Sequence, residues 1–243
     1  MPELSPGFEL AAASVAFGGR TVLDGLTLRL TEGRIGILGR NGSGKTTLLR
    51  LMAGLIAPDA GTVRADGIDP FRDRKAALAA LGILFQNPDH QILFPTVEEE
   101  LAFGLAQQGL PAAEAAARVV GLLAAEGRAH WAKAPVSTLS QGQRHYLCLL
   151  AVLLMAPRTI LLDEPLAGLD LPTQARLARR FAALPQRLVT ITHDPAVLAD
   201  ADRVLWLEGG RIVADGRPVE VIAAFTAEMA RIGARDADAD LAG

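Results

Sequence analysis

Gly39-Arg40-Asn41-Gly42-Ser43-Gly44-Lys45-Thr46 has the spacing Gly-x-x-x-x-Gly-Lys-Thr, in which backbone amides wrap a phosphate while a lysine and a hydroxyl reach its far side. The run Arg34-Ile35-Gly36-Ile37-Leu38 before it reads as a buried strand, and Thr46-Thr47-Leu48-Leu49-Arg50-Leu51-Met52 after it reads as a helix. Gly42 and Gly44 permit positive φ and place no Cβ between backbone and phosphate. The new helix aims its unpaired N–H groups and positive dipole end at the same point. Lys45 is then the point charge on the outer phosphates, and the Thr46 hydroxyl a ligand for Mg2+. Of the 24 Lys and Arg residues only Lys45, Lys75 and Lys133 are lysine, so arginine serves almost everywhere that positive charge suffices. A compact ammonium fits a phosphate cradle where a planar guanidinium does not. The dinucleotide fingerprint fails, because its third glycine would fall at Thr47.

A chain of 243 residues with 50% hydrophobic content is long and apolar enough for one large or two small folded, soluble domains. Its longest apolar run, Tyr146 to Ala156, is about half of the roughly 20 residues that a membrane-spanning helix needs. The start, Met1-Pro2-Glu3-Leu4-Ser5-Pro6, has neither the basic end nor the apolar stretch of a secretion signal, and a single cysteine forms no internal disulfide. A reducing cytoplasm is the expected compartment, with Cys148 a small buried hydrophobe. Net charge −3 with interspersed signs offers no basic face, so no nucleic-acid partner is expected. The scattered histidines lack metal-ligand spacing; no zinc site is expected, and His130, His145, Trp131 and Trp206 read as packing or surface residues. The acidic tail Asp236-Ala237-Asp238-Ala239-Asp240 reads as a short frayed end.

No internal repeat is present, so the chain holds one nucleotide unit. Alternation in Thr27-Leu28-Arg29-Leu30 and Thr62-Val63-Arg64-Ala65 predicts antiparallel strands flanking the first unit. From Thr96 to about Met155 the sequence is rich in Ala, Leu and Glu at helical spacing, broken at Pro111, Pro135 and Pro157, which predicts a helical insertion. Two apolar runs, Thr159-Ile160-Leu161-Leu162 and Leu188-Val189-Thr190-Ile191, are continuous enough to be covered on both faces and predict a central parallel sheet. Arg203 to Glu208, Gly209-Gly210 and Arg211 to Ala214 read as a hairpin, and a short helix follows from Pro218.

Ile160-Leu161-Leu162-Asp163-Glu164-Pro165 is an apolar strand ending in two acids, at the carboxyl edge where α/β sheets bind ligands. Asp163 is placed to hold magnesium through water, and Glu164 to take a proton from water attacking a γ-phosphate. An acidic turn at a strand end is the plainer account of this pair taken alone. Ser140-Gln141-Gly142-Gln143 opens an apolar helix and satisfies a capping box, Ser140 as cap and Gln143 three residues on. Thr96 and Glu99 have the same spacing before the first insertion helix.

Leu139-Ser140-Gln141-Gly142-Gln143 also resembles the Leu-Ser-Gly-Gly-Gln signature of the ATP-binding cassette ATPases, with Gln141 at the first glycine. The resemblance runs from roughly Phe8 to Pro218, with the motifs in the family's order. It implies an α/β P-loop NTPase: a RecA-like parallel sheet with an antiparallel β subdomain (1–86 and 159–217), a helical subdomain (about 87–158), and a C-terminal helix and tail (218–243). It implies ATP and Mg2+ as cofactors, held by Gly39, Arg40, Asn41, Gly42, Ser43, Gly44, Lys45, Thr46 and Thr47, with Phe17 at the position of an aromatic that stacks on adenine, where the family more often has tyrosine. Gln86 matches a glutamine that joins the lobes and reaches toward magnesium and the attacking water, and His193 a histidine that contacts the γ-phosphate. Catalysis would rest on Glu164, His193 and Gln86, and magnesium on Thr46, Gln86 and Asp163. Two cassettes stack head to tail in the family, so Ser140, Gly142, Gln143 and Asp170 would act on ATP held by a second ATPase subunit, either an identical copy or a close paralogue.

The stretch after Gln86, Asn87-Pro88-Asp89-His90-Gln91-Ile92-Leu93-Phe94, mixes apolar Ile92, Leu93 and Phe94 with polar Asp89 and Gln91, a composition suited to receiving a partner's helix. It resembles the energy-coupling-factor ATPases, importers of vitamins and of cobalt or nickel, in which Pro88, Asp89, Gln91, Ile92, Leu93 and Phe94 would engage a transmembrane coupling subunit, itself joined to a substrate-binding membrane subunit. The expected location is the cytoplasmic face of the membrane. The short C-terminal part resembles the biotin-type ATPases more than those with long extensions; cobalt, nickel or another vitamin stays open. The competing reading is a soluble cassette ATPase of DNA repair or translation, which would call for paired cassettes, long arms or basic surfaces. A non-hydrolysing regulator is disfavoured by the intact Glu164.

Overall fold

Alternation of apolar and polar residues builds the first sheet. In the computed structural model, which describes residues 5–234, β1 (Phe8–Phe17) turns Phe8, Leu10, Ala13 and Val15 inward, and β2 (Arg20–Leu30) does so with Leu23, Leu26, Leu28 and Leu30. The acidic run 236–240 lies outside the described residues. After β3 (Arg34–Leu38) and α1 (Lys45–Met52), β4 (Ala60–Ala65) returns to pair antiparallel with β1, giving the order β2-β1-β4.

The second sheet has the order β5-β6-β7-β3-β8-β9, formed by β3 with β5 (Leu81–Leu84), β6 (Thr159–Asp163), β7 (Arg187–Thr192), β8 (Arg203–Glu208) and β9 (Arg211–Gly216). All neighbours are parallel except β8 and β9, the expected hairpin. Strands β3, β6 and β7 are buried almost throughout, as continuous apolar runs covered on both faces should be. On one face, Leu48, Leu49, Leu51 and Met52 of α1 fill the space between Ile35, Ile37, Leu161 and Val189 and the inner side of β1 and β2. On the other lie α5 (Gln141–Leu154) and α6 (Leu171–Ala182), whose Cys148, Leu149, Val152, Leu177 and Phe181 cover Ile160, Leu162 and Leu188. The short α2 (Arg74–Ala80) precedes β5, and α7 (Pro218–Gly233) closes the sheet edge with Val221 and Phe225, the latter edge-on to Trp206.

Helices α3 (Val97–Gln107) and α4 (Ala112–Ala125) pack Val97, Leu101, Val119 and Leu123 against Trp131 and against Leu147 and Leu150 of α5. One helix, α5, thus lines both this cluster and the sheet. Burial pushes the Cys148 thiol up to about 12, which keeps it protonated and inert. His145 is also interior, and burial holds its imidazole below the ordinary range. The capping box expected at Thr96 and Glu99 does not form, because the Thr96 hydroxyl donates to the Glu99 carboxylate instead of accepting from the helix. Two of the free N–H groups of the first turn are satisfied from elsewhere: Val97 donates to Ala134 O and Glu98 to Ala132 O, each at 3.1 Å.

Arg187, 2% exposed at the start of β7, joins the two sheets. Its guanidinium donates to the carbonyls of Glu32 (2.9 Å) and Thr31 (3.0 Å), and lies 3.6 Å from Asp66, whose carboxylate also accepts from Gly7 N. Removing the cation leaves the carbonyls of Thr31 and Glu32 without this donor and the buried Asp66 carboxylate with only the half-exposed Arg158, 3.7 Å away, and the Gly7 N–H. The variant R187M is expected to lose roughly 3–5 kcal/mol of unfolding free energy in denaturant titration; a loss under 1 kcal/mol would show that the apolar stem alone holds the sheets together.

Candidate active site

Parallel strands end at a common edge, and register decides what meets there. Leu84 pairs with Leu162, Asp163 with Ile191 and Leu38 with Thr192, so the segments after β5, β6, β7 and β3 leave the sheet side by side. They carry Gln86, Asp163-Glu164, His193 and the loop 39–44. This is the carboxyl edge, where β3 has neighbours whose connections run to opposite sides, the crevice in which such sheets bind ligands.

The loop folds as the glycine spacing requires. Gly44, the cap of α1, has φ 104°, and a Cβ there would lie 3.0 Å from Leu23 Cδ2 and 3.1 Å from Val22 O, so β2 closes the back of the loop. Gly210 N donates to Ser43 O and Asp24 N to Gly210 O, which fixes the loop to the β8–β9 turn. Lys45 is buried, and its Nζ donates to the carbonyls of Gly39 (2.7 Å) and Arg40 (2.8 Å), spanning the loop it is to share with a ligand. Burial holds this ammonium below its ordinary range, while the Glu164 and Asp163 carboxylates pull the other way. Ser43 Oγ is shielded from water without a hydrogen-bond partner and packs against Gly39, where a Cβ would stand 2.7 Å from it. Arg40, Asn41, Gly42 and Thr46 are exposed on the loop's outer side, and Thr47 is half-buried.

Asp163 and Glu164 are 6% and 8% exposed, adjacent like charges with little water. Burial, then Glu164, holds the Asp163 carboxyl above its usual range; Lys45, Arg50 and a hydrogen bond from Thr46 work against that. Two oxygen donors, the Thr46 hydroxyl and the Asp163 carboxylate, meet at a site short of positive charge. That set fits Mg2+, which takes few protein ligands and completes its shell with phosphates and water. Glu164 stands at φ 47°, a left-handed conformation strained for a glutamate. Its Oε2 accepts from Thr192 Oγ1 (2.9 Å), and its Oε1 accepts from His193 N (2.9 Å) and pairs with His193 Nδ1 (2.8 Å). The structure therefore brings Glu164 and His193 together, with Nε2 on the far side of the ring. Thr192, not singled out from the sequence, completes this grip and also accepts from Asp194 N at 3.0 Å. Its only sequence signal is a hydroxyl at the end of an apolar strand, next to the histidine.

Gln86 emerges exposed at the same edge, and Phe17 is 53% exposed at the end of β1, so it does not belong to the core. Ser140 and Gln143 form the expected capping box: Gln143 N donates to Ser140 Oγ (3.3 Å), and Ser140 N to Gln143 Oε1 (2.8 Å). Asp170 caps α6 by accepting from Thr173 N at 2.8 Å. A Cβ at Gly142 would stand 3.0 Å from Thr173 Cγ2, so the first turns of α5 and α6 are in close contact and present their N-terminal ends together. Gln141 continues a regular helix in place of glycine.

The stretch 88–94 is more engaged in the chain than its composition implied. Pro88 is buried, Ile92 packs into two clusters, and Gln91 Oε1 accepts from Phe85 N at 3.2 Å. Phe94 stacks tilted on Phe103 with centroids 5.2 Å apart. Glu100, a buried carboxylate of α3, accepts from Leu93 N (2.8 Å) and Phe94 N (2.9 Å) and fixes the turn. What faces outward is Asp89, His90 and Leu93, the last 67% exposed.

A family model described as "ABC transporter" matches residues 23–167. The biotin transport ATP-binding protein BioM of Rhodobacter capsulatus is 55% identical over 219 residues, 89% of this chain and 94% of that one. Among solved structures, cbiO1 from Clostridium perfringens, described as part of the ABC transporter complex cbiONQ, superposes with TM-score 0.77 at 28% identity, covering 95% of this chain and 96% of that one. The ATP-binding cassette MJ0796, described as a dimeric post-hydrolysis state bound to ADP and Pi, gives TM-score 0.74 at 25% identity over 87% of this chain and 98% of that one.

The raised Asp163 pKa has a thermal consequence. A buried acid of this kind favours the folded state while protonated, and that advantage is lost as pH rises through its folded pKa. D163N is therefore expected to melt roughly 2–4 °C higher than the parent at neutral pH without nucleotide, with the gap closing toward acid pH. Adding Mg2+ and ATP should raise the parent's melting temperature and leave that of D163N nearly unmoved. An equal or lower melting temperature for nucleotide-free D163N at neutral pH would contradict the charge argument.

Proposed function

Since this chain belongs to the ABC transporter family and is an ATP-binding, ATP-hydrolysing subunit, we propose that it drives an energy-coupling-factor importer whose solute is biotin. The observation that carries the hydrolytic part is the convergence of Lys45, Asp163-Glu164 and His193 at one sheet edge. The choice of biotin is supported by the relative at 55% identity, which is named for biotin transport; cobalt or nickel is the next solute to test.

In this reading the amides of 39–47 and Lys45 hold the outer phosphates of ATP, and Phe17 faces the adenine. Thr46, Asp163 and Gln86 would hold Mg2+, which would supply positive charge against the charge developing on the transferred phosphoryl group. Glu164 accepts a proton from the attacking water. Thr192 Oγ1 and His193 hold its carboxylate in place, and His193 turns Nε2 toward the γ-phosphate. The strained backbone at Glu164 sets the carboxylate's direction before substrate arrives, so less reorganisation accompanies proton transfer.

A second ATPase subunit covers the ATP. The adjoining ends of α5 and α6, with Ser140, Gly142, Gln143 and Asp170, give it N–H donors and a positive dipole end. Those ends lie together in one cassette because Gly142 admits Thr173. Support for pairing comes from MJ0796, described as dimeric. No helix among the described residues is long and apolar enough to cross a membrane. Transport therefore needs a transmembrane coupling subunit, docked at Asp89 and Leu93 with Phe94 behind them, and a membrane subunit that binds solute. The subunit works at the cytoplasmic face.

E164Q is expected to lower phosphate release by the assembled transporter roughly 10^2- to 10^4-fold while retaining ATP, as loss of a positioned base should; undiminished turnover would remove Glu164 from the base role. In cells lacking other biotin importers, the same variant should abolish accumulation of labelled biotin and leave cobalt and nickel uptake at the parental level. The reverse pattern would move the solute to the metals. A subunit that stays in the soluble fraction when the membrane proteins are co-produced would instead favour a cassette working apart from a transporter.

A further inference from the structure

Arg144 stands in the first turn of α5, where the helix dipole disfavours a cation. Its guanidinium bridges two places. Nε lies 3.3 Å from Asp89 Oδ1 on the outward turn 88–90, and Nη1 donates at 3.2 Å to the carbonyl of Leu139, the residue before Ser140. The side chain is 26% exposed and Asp89 62%, so the pair contributes little to stability. Asp89 is itself held by a short, braced turn: its N donates to Asn87 Oδ1 at 2.9 Å, and Gln91 and Ile92 donate to Pro88 O. Below it on the same helix face, one turn on, Cys148 lies within electrostatic reach of Asp89, Glu100 and Arg144. The groups that set the outward turn and the groups that set the start of α5 are therefore one cluster.

A cation placed against its helix dipole, in a weak pair, is poorly explained by folding. It is well placed to report. We propose that Arg144 is a positioning residue that carries the occupancy of the 88–94 turn to the Ser140 end of α5, so that a membrane subunit seated on Asp89 alters how Ser140 and Gly142 meet the second subunit's ATP. The guanidinium suits this because its planar fork donates to the Leu139 carbonyl through Nη1 while its charge, at Nε, sits 3.3 Å from the Asp89 carboxylate without a hydrogen bond to it, whereas an ammonium on a flexible stem acts as a single point charge. The inference rests on the importer reading and specifies how its docking turn regulates the ATP site.

The test uses the ATPase assembled with its membrane subunits in lipid vesicles and the ATPase alone, comparing the parent with R144Q and R144K. Three quantities are read: recovery of the complex by purification through a membrane subunit, the ratio of ATP hydrolysis with and without membrane subunits, and hydrogen exchange of the amides in 139–143 in both states. R144Q is expected to assemble like the parent while its stimulation ratio falls roughly tenfold, the scale of a typical coupling between sites. The added protection of 139–143 on assembly should be lost with it, and R144K should regain part of both. An unchanged ratio and unchanged protection in R144Q would overturn the proposal, as would an equal fall in both rates, which indicates a merely structural role. Should R144Q fail to fold, R144K decides: full parental stimulation overturns the bridging argument, and a partial ratio upholds it. Failure of the parent itself to assemble would refute the importer reading, a result distinct from a parent that assembles and a variant that is uncoupled.

Discussion

Two neighbouring carboxylates that are nearly out of reach of water set the terms for this molecule. Asp163 and Glu164 end a fully buried strand, so their charge is met by the protein or not at all. The sheet order supplies the answer. β7 lies beside β6 and brings Thr192 and His193 to Glu164, and β3, next beyond, brings Lys45 on its loop. None of this fully neutralises the pair, as the raised Asp163 shows. A site left short of positive charge and lined by a hydroxyl and a carboxylate is complementary to a metal-bound phosphate. The same imbalance that costs the empty protein stability favours its ligand.

The second organising element is α5. Its inner face belongs to the sheet through Cys148, Leu149 and Val152, and its other side belongs to the helical cluster through Leu147 and Leu150. Its first turn touches α6 at Gly142 and Thr173 and the outward turn 88–90 at Arg144. A rigid body that lines two cores cannot shift at one end alone, since close-packed interiors transmit displacement. Any change at the surface turn is thus felt where Ser140 stands.

Much of the active edge is legible in residues that are local in sequence. The loop 39–46, the strand ending in Asp163-Glu164 and the Ser140–Gln143 box each carry their geometry within a few residues, because glycine freedom, strand termination and helix capping are short-range effects. What escaped reading is the set of contacts between segments distant in the chain. Thr192 looks like an ordinary strand hydroxyl until β6 and β7 are paired. Glu100 looks like one more acid in a helix's first turn until the chain at Leu93 folds back onto it. The Thr96–Glu99 box fails because the Thr96 hydroxyl turns to the Glu99 carboxylate, while carbonyls of Ala134 and Ala132, distant in the chain, take the N–H groups of Val97 and Glu98. Short β5 and the polar-faced α6 leave little trace in the sequence. Four residues give no period to read, and the apolar residues of α6 mark a face only once a sheet lies under it.

By itself the sequence determined that a phosphate loop stands between a buried strand and a helix, that an acidic pair ends a second strand, and that a helix begins at Ser140. Backbone preferences and residue chemistry over a few positions suffice for each. Only the tertiary structure decided that Glu164 is gripped by Thr192 and His193, that Arg187 ties two sheets together, and that Pro88 and Gln91 turn inward while Asp89 and Leu93 face out. Those outcomes depend on which strands become neighbours and which groups lose water, and such facts exist only once distant parts of the chain have met.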